Sequence, residues 1–307
     1  MSIYGLFARK GPSGFGYRST AEEVTEGVSL AGKTVLLTGC NSGLGFEAMR
    51  VLVLRGAKVI GTARSLDKAV QACARVGGET VPVACELSEP ASVRACIEAV
   101  TRTGVELDAI ICNAGIMALP RLATKHGYEL QFFTNHIGHF ILVTGLLDRL
   151  GASARVVMLS SDVHKIAPKD GIEFDNLDGA RHYSPWRNYG QSKLANILFA
   201  VQLMHRFAGT QRTANAVHPG VIATNLSRYM NPVVAALQRA AGPLFLKSIP
   251  QGAATEVFVA THPSLAGVSG RYFADSNVAR PSANANDAGL AERLWSASER
   301  IVAEVTT

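Results

Sequence analysis

Tyr189 and Lys193 stand four residues apart in Tyr189-Gly190-Gln191-Ser192-Lys193. On a helix that spacing puts both side chains on one face, about one turn apart. A free phenol keeps its proton up to a pKa of about 10. An ammonium beside it favours the phenolate and brings the group toward acid/base work near neutrality. Tyr-x-x-x-Lys also occurs in helices where the phenol packs and the amine is solvated. The rest of the chain decides between these readings.

A reacting pair needs something held against it, and Thr38-Gly39-Cys40-Asn41-Ser42-Gly43-Leu44-Gly45 offers a holder. The stretch follows the apolar run Thr34-Val35-Leu36-Leu37 and opens a helical pattern from Gly43 to Leu54. Glycines at such a place let the backbone turn tightly and approach a pyrophosphate, which a helix N-terminus attracts through free N–H groups and its dipole. The spacing is G-x-x-x-G-x-G, not the G-x-G-x-x-G of the commonest dinucleotide fingerprint. A plain turn uses glycine too, but the strand–turn–helix context favours a cofactor. The acidic residue that usually meets a ribose hydroxyl about 20 residues further on is missing from Gly61-Thr62-Ala63-Arg64-Ser65. Arg64 offers a bidentate contact to a 2′-phosphate instead, selecting NADP over NAD; the alternative is a solvated strand-end cation.

Apolar runs at 34–37, 58–62, 80–84, 109–112, 154–159 and 213–217 alternate with helical patterns at 43–54, 69–76, 91–100, 128–150 and about 188–207. Such alternation predicts an α/β fold, a Rossmann-type doubly wound parallel sheet with helices on both faces. Pro82 marks the third strand as a start or an edge. The alternation runs unbroken from residue 31 to about 218, with no linker inside it, so one domain over 31–307 is expected. Residues 1–30 lack periodicity and read as an extension on its surface. Segments 251–261, 271–273 and 292–302 add short elements to the same layers.

The 307 residues are 48% hydrophobic and 18% charged, enough for a sizeable core. Lys+Arg 30 against Asp+Glu 24 leaves +6 without a basic run, which does not support a nucleic-acid groove. Cys40, Cys73, Cys85, Cys96 and Cys112 are odd in number and form no Cys-x-x-Cys pair; they indicate a reducing compartment. No apolar h-region follows Arg9-Lys10, and no apolar run approaches the roughly 18 residues of a membrane span. The expectation is a cytoplasmic protein with no membrane span and no metal centre.

Thr38–Gly45, Cys112-Asn113-Ala114-Gly115, Asn135, Ser160-Ser161, Tyr189…Lys193 and His218-Pro219-Gly220 stand in the order and spacing of the short-chain dehydrogenase/reductases. Residues 127–140, with Asn135-His136-Ile137-Gly138-His139-Phe140, and residues 189–196 resemble the retinol-dehydrogenase and protochlorophyllide-reductase branch. The resemblance implies that Tyr189 is the general acid/base and that Lys193 holds the nicotinamide ribose and depresses the phenol. It gives Ser161 the substrate oxygen and Asn135 a backbone carbonyl that holds a relay water. It further implies a cofactor held by Gly39, Asn41, Ser42, Gly43, Leu44, Gly45, Arg64, Asn113, Ala114, Gly115, Tyr189, Lys193, Pro219, Gly220, Val221 and Thr224. Where the family usually carries an aspartate against the adenine, this chain has Glu86.

Ser161 and Tyr189 are both donors aimed at an oxygen that gains charge during hydride transfer. Residues 162–188 between them are expected to form one wall of a substrate pocket, or a bland surface loop. Residues 225–250 are expected to supply the other. Residues 230–246 read first as an apolar lid, then as a contact in a homo-oligomer, last as a membrane-surface segment. The expected activity is NADP-dependent hydride exchange with a small lipophilic aldehyde, ketone or alcohol. The alternatives are a catalytically silent NADP-binding regulatory module and a sugar-nucleotide epimerase; the glycine spacing and the lack of a large C-terminal domain argue against the epimerase.

Overall fold

The computed structural model describes residues 9–222 and 246–306. Each short apolar run becomes a strand: β1 Thr34–Thr38, β2 Lys58–Ala63, β3 Thr80–Ala84 and β4 Leu107–Cys112. Between them run the helices α1 Gly43–Leu54, α2 Leu66–Val76 and α3 Pro90–Arg102. Pro90 opens α3 at a position where a missing N–H costs nothing. A two-residue hairpin, β5 Thr124–Lys125 and β6 Tyr128–Glu129, precedes the next helical segment. That segment has an α-turn at Leu130–Phe132, a π-helical turn at Phe133–Ile137 and α4 at Gly138–Thr144. The chain continues through β7 Leu150–Leu159, α5 Pro185–Arg206, β8 Thr213–His218, α6 Ile249–Thr261, β9 Tyr272–Ala274, β10 Asn277–Val278 and α7 Ala288–Thr306.

The sheet order is β10-β9-β8-β7-β4-β1-β2-β3. All neighbours are parallel except β9 and β10. β3 is an edge, as Pro82 requires. β1 lies between β2 and β4, so the strand order reverses there and a crevice opens past the carboxyl ends of β1 and β4. Successive strand residues feed opposite faces. Leu36, Ile110 and Val156 pack with α3, α4, α5 and α7, whereas Val35, Leu37, Ile111 and Val157 pack with α1, α2 and α6. Both faces are therefore dry, which is why these strands read as continuous apolar runs.

Two expectations change in detail. The helix foreseen over 128–150 is shorter at both ends, because Tyr128 and Glu129 pair with Lys125 and Thr124, and Leu150 already belongs to β7. The stretch 9–30 is also more than surface cover: Ala21 and Val24 lie wholly inside the core beneath α6. Ala21 N–H donates to Pro250 O at 2.9 Å. The Arg18 carbonyl accepts from Gln251.

Candidate active site

α5 carries both Tyr189 and Lys193, and both are buried, at 6% and 2% exposure. Lys193 Nζ lies 5.6 Å from the Tyr189 ring centroid and donates to Leu159 O, at the end of β7, at 2.9 Å. Ser161 follows that strand end, and its hydroxyl is close enough to the Tyr189 phenol to work against the rise that burial causes. Gly190 allows the approach. A Cβ there would stand 2.7 Å from Val163 O, so only glycine lets the Asp162–Ile166 turn lie this close against α5. Residues 167–184 are also tied down on this helix, because Glu173 N–H donates to Gln191 Oε1 at 2.9 Å and Arg187 pairs with the Glu173 carboxylate.

Asn135 sits in the π-helical turn and is fully buried. Its side-chain amide brackets the exit of β4: Oδ1 accepts from Ile116 N–H at 2.8 Å, while Nδ2 donates to Ile116 O and to Ser192 Oγ, both at 2.9 Å. A Cβ placed on Gly115 would stand 2.9 Å from Asn135 Oδ1 and 3.4 Å from Lys193 Nζ. Gly115, Asn135, Lys193, Tyr189 and Ser161 thus converge at one end of the sheet, although they are spread over residues 115–193 of the sequence. Wide helical turns of this kind are frequent at functional sites.

The electrostatics differ from the sequence expectation. Burial is the largest influence on both groups of the pair. It pushes the Tyr189 phenol up, opposed by Ser161, and pushes the Lys193 ammonium down to about 8, opposed by Cys112. Desolvation favours the neutral form of each. For the phenol, burial outweighs the lowering by Ser161. One dry pocket moves the two groups' proton affinities apart, the phenol's up and the ammonium's down. Near neutrality Lys193 keeps most of its charge and Tyr189 is in the protonated form from which a donor starts.

The glycine turn lies at the mouth of the crevice. Gly39 has φ +75°, a conformation that glycine adopts without strain. A Cβ on Gly45 would meet Gly39 O at 2.3 Å and Asn113 Nδ2 at 2.5 Å. Asn113 Nδ2 donates to Thr38 O at 2.8 Å, fastening the ends of β1 and β4 together. Ser42 precedes α1 without capping it through its side chain, so the first-turn N–H groups have no side-chain acceptor among the described residues. An uncapped helix end beside a backbone-only turn fits a pyrophosphate, with Gly39, Asn41, Ser42, Gly43, Leu44 and Gly45 around it. Arg64 is exposed just past β2 and forms no ion pair among the described residues; Ser65, next to it, leaves the start of α2 uncapped as well.

Ala114 and Gly115 line the same crevice. Pro219 and Gly220 follow β8, and Val221 is 59% exposed beyond them. Thr224 lies outside the described residues, as does nearly all of the 225–250 wall. Glu86 Oε1 accepts from Ser88 N–H at 3.3 Å and from Ser88 Oγ at 3.0 Å, which leaves its other oxygen for an outside partner. Within the 162–188 segment expected to form a pocket wall, the Trp186 ring stands edge-on to Tyr189 at 6.3 Å and is 40% exposed, and Ile166 is 54% exposed. Trp186 lies three residues before Tyr189 on the same helix, the spacing that brings the two rings together. Among the described residues, no group of three or more His, Cys, Asp or Glu could hold a metal ion. All five cysteines are free and buried.

A doubly wound sheet with a glycine turn at its switch point and a Ser–Tyr–Lys cluster beside it defines a class. The family profile described as short chain dehydrogenase matches residues 33–173. The chain belongs to the short-chain dehydrogenase/reductase family, and so to the NAD(P)-dependent oxidoreductases. Among its relatives, the chloroplastic short-chain dehydrogenase TIC 32 B of Brassica napus is 43% identical over 98% of this chain and 99% of that one. Human retinol dehydrogenase 14 is 37% identical over 88% of this chain and 86% of its own length. A crystal structure of an uncharacterised protein from Mycobacterium paratuberculosis superposes with a TM-score of 0.74 at 33% identity, covering 90% of this chain and 95% of that one. No helix among the described residues is long and apolar enough to cross a membrane.

Proposed function

We propose that this chain exchanges hydride between NADP and a lipophilic aldehyde, ketone or alcohol, with Tyr189 as the general acid/base. The observation that carries this reading is the single dry pocket where the Ser161 hydroxyl, the Tyr189 phenol and the Lys193 ammonium meet. The cofactor, when bound, supplies or takes up the hydride. In the reductive direction, Ser161 and Tyr189 donate hydrogen bonds to the carbonyl oxygen as charge grows on it. Tyr189 then passes its proton to that oxygen, and Lys193 steadies the phenolate left behind. Alcohol oxidation reverses each movement.

NADP rather than NAD is supported by Arg64, which stands exposed and without a carboxylate partner among the described residues, beside the uncapped start of α2. A lipophilic substrate is supported by the part-exposed Trp186 ring edge-on to Tyr189 and by the exposed Ile166 on the turn against Gly190, and retinol, named in the human relative, is one such alcohol. The five buried thiols suit a reducing, aqueous compartment. The test is a screen of NADPH oxidation against aliphatic aldehydes, aromatic ketones, retinoids and steroids. The expected result is turnover of at least one class, faster with NADPH than with NADH. Tight NADPH binding without turnover of any would instead identify a silent NADP-binding module.

A further inference from the structure

Behind Asn135 lies a second polar chain in which neither Tyr189 nor Lys193 takes part. His139 is on the first turn of α4 and fully buried. Its Nδ1 stands 2.9 Å from the backbone oxygen of Asn135, and its Nε2 stands 2.9 Å from Thr38 Oγ1. Thr38 is the last residue of β1, and its Oγ1 accepts from Ala114 N–H at 3.0 Å. The direction of every bond follows from chemistry. A carbonyl oxygen can only accept, so His139 Nδ1 carries the proton. A neutral imidazole then has a bare Nε2, and the Thr38 hydroxyl must donate to it. Burial holds the ring neutral by pushing its pKa down to about 4.

The chain therefore runs Ala114 N–H to Thr38 O–H to His139 to the Asn135 carbonyl. It begins at the turn where the glycine stretch opens and ends on the residue that converges with Lys193 at Gly115. Lys193 is near enough to act on the imidazole electrostatically. The other groups that face this region are Cys112 at the end of β4 and the neutral His136 on the same helical segment.

We propose that His139 is a positioning residue: by holding the Asn135 backbone oxygen it fixes Asn135, whose Oδ1 shares the Gly115 corner with the lysine Nζ, and ties that residue to the Thr38–Gly39 turn. The proposal rests on the hydride-transfer reading above. A well-placed Asn135 amide oxygen near Nζ favours the ammonium; a loosened Asn135 leaves Lys193 easier to deprotonate and the phenolate less well stabilised.

Two measurements test it. In the protein without cofactor, nitrogen-15 shifts of the His139 ring should show a protonated Nδ1 and a bare Nε2 from about pH 5 to about pH 8. Thr38→Val should move the Nε2 signal. In alcohol oxidation with NADP, His139→Phe and Thr38→Val should each move the ascending limb of the rate profile to higher pH by about one unit, the size of one neutral hydrogen bond. The double variant should move it no further than the larger single change, since both break the same chain. Thr38→Ser, which keeps the hydroxyl, should restore the limb. An Nε2–H tautomer, a ring that titrates within that range, or variants that melt earlier but keep the wild-type limb would overturn the proposal. In that last case a wild type that turns over, and loses turnover on Tyr189→Phe, leaves the hydride-transfer reading standing. A wild type with no turnover removes both.

Discussion

Glu256 lies within α6 at 1% exposure, and neither carboxyl oxygen has a hydrogen-bond partner among the described residues. Burial raises its pKa from the ordinary 4.5 to about 8. The sign of the linkage follows. The folded chain binds this proton more tightly than the unfolded one, so the associated stability is complete below pH 4.5 and is lost as pH rises through about 8. At pH 7 the unfolded carboxyl is ionised and the folded one is still mostly protonated. The gap of roughly two and a half pH units from 4.5 then costs about 3 kcal/mol relative to a side chain that never ionises. Glu256→Gln is that side chain. At pH 5 the variant and the wild type should unfold at nearly the same temperature. At pH 7 the variant should melt about 6 °C higher, at roughly 2 °C per kcal/mol for a domain of this size. Calorimetry on both proteins from pH 5 to pH 8.5 reads the difference directly. A difference in melting temperature that does not change with pH would refute the reasoning, because it would mean that the folded Glu256 already titrates like an exposed carboxylate.

The remaining predictions concern the site. Arg64→Ala should reduce the preference for NADPH over NADH by about tenfold, the worth of one charge-assisted contact at an exposed position, and fluorescence titration with both cofactors measures it. An unchanged ratio would return Arg64 to the status of a solvated cation. Gly190→Ala should reduce kcat by at least about tenfold while NADPH binding holds, because a Cβ 2.7 Å from Val163 O must push the Ser161 turn off α5. An active Gly190→Ala enzyme would show that the Ser161–Tyr189 contact is not needed for the reaction.

Much of this was legible in the sequence because a parallel sheet buried on both faces leaves unbroken apolar runs, and all six runs became strands. The Gly39–Gly45 turn and the Tyr189/Lys193 pair were legible because their chemistry fixes their spacing. The failures have one cause. Apolar periodicity is blind to buried polar groups, and the interior behind the site is built from them: Gln131, Asn135, His136, His139, Ser192 and Asn196 are all buried. Periods of three to five residues look alike on sequence, so the segment 128–150 read as one helix although a π-helical turn interrupts it at Asn135. Ala21 and Val24 escaped notice because two apolar residues make no pattern. The order of the phenol and ammonium pKa values was out of reach, since it depends on burial and on where Nζ points.

The central claim is that the Tyr189 phenol is the proton donor. Tyr189→Phe removes one oxygen and leaves the packed ring, so NADPH affinity should stay within about twofold of the wild type, while kcat for carbonyl reduction should fall by about a thousandfold. Turnover within about tenfold of the wild type would mean that the proton comes from another group.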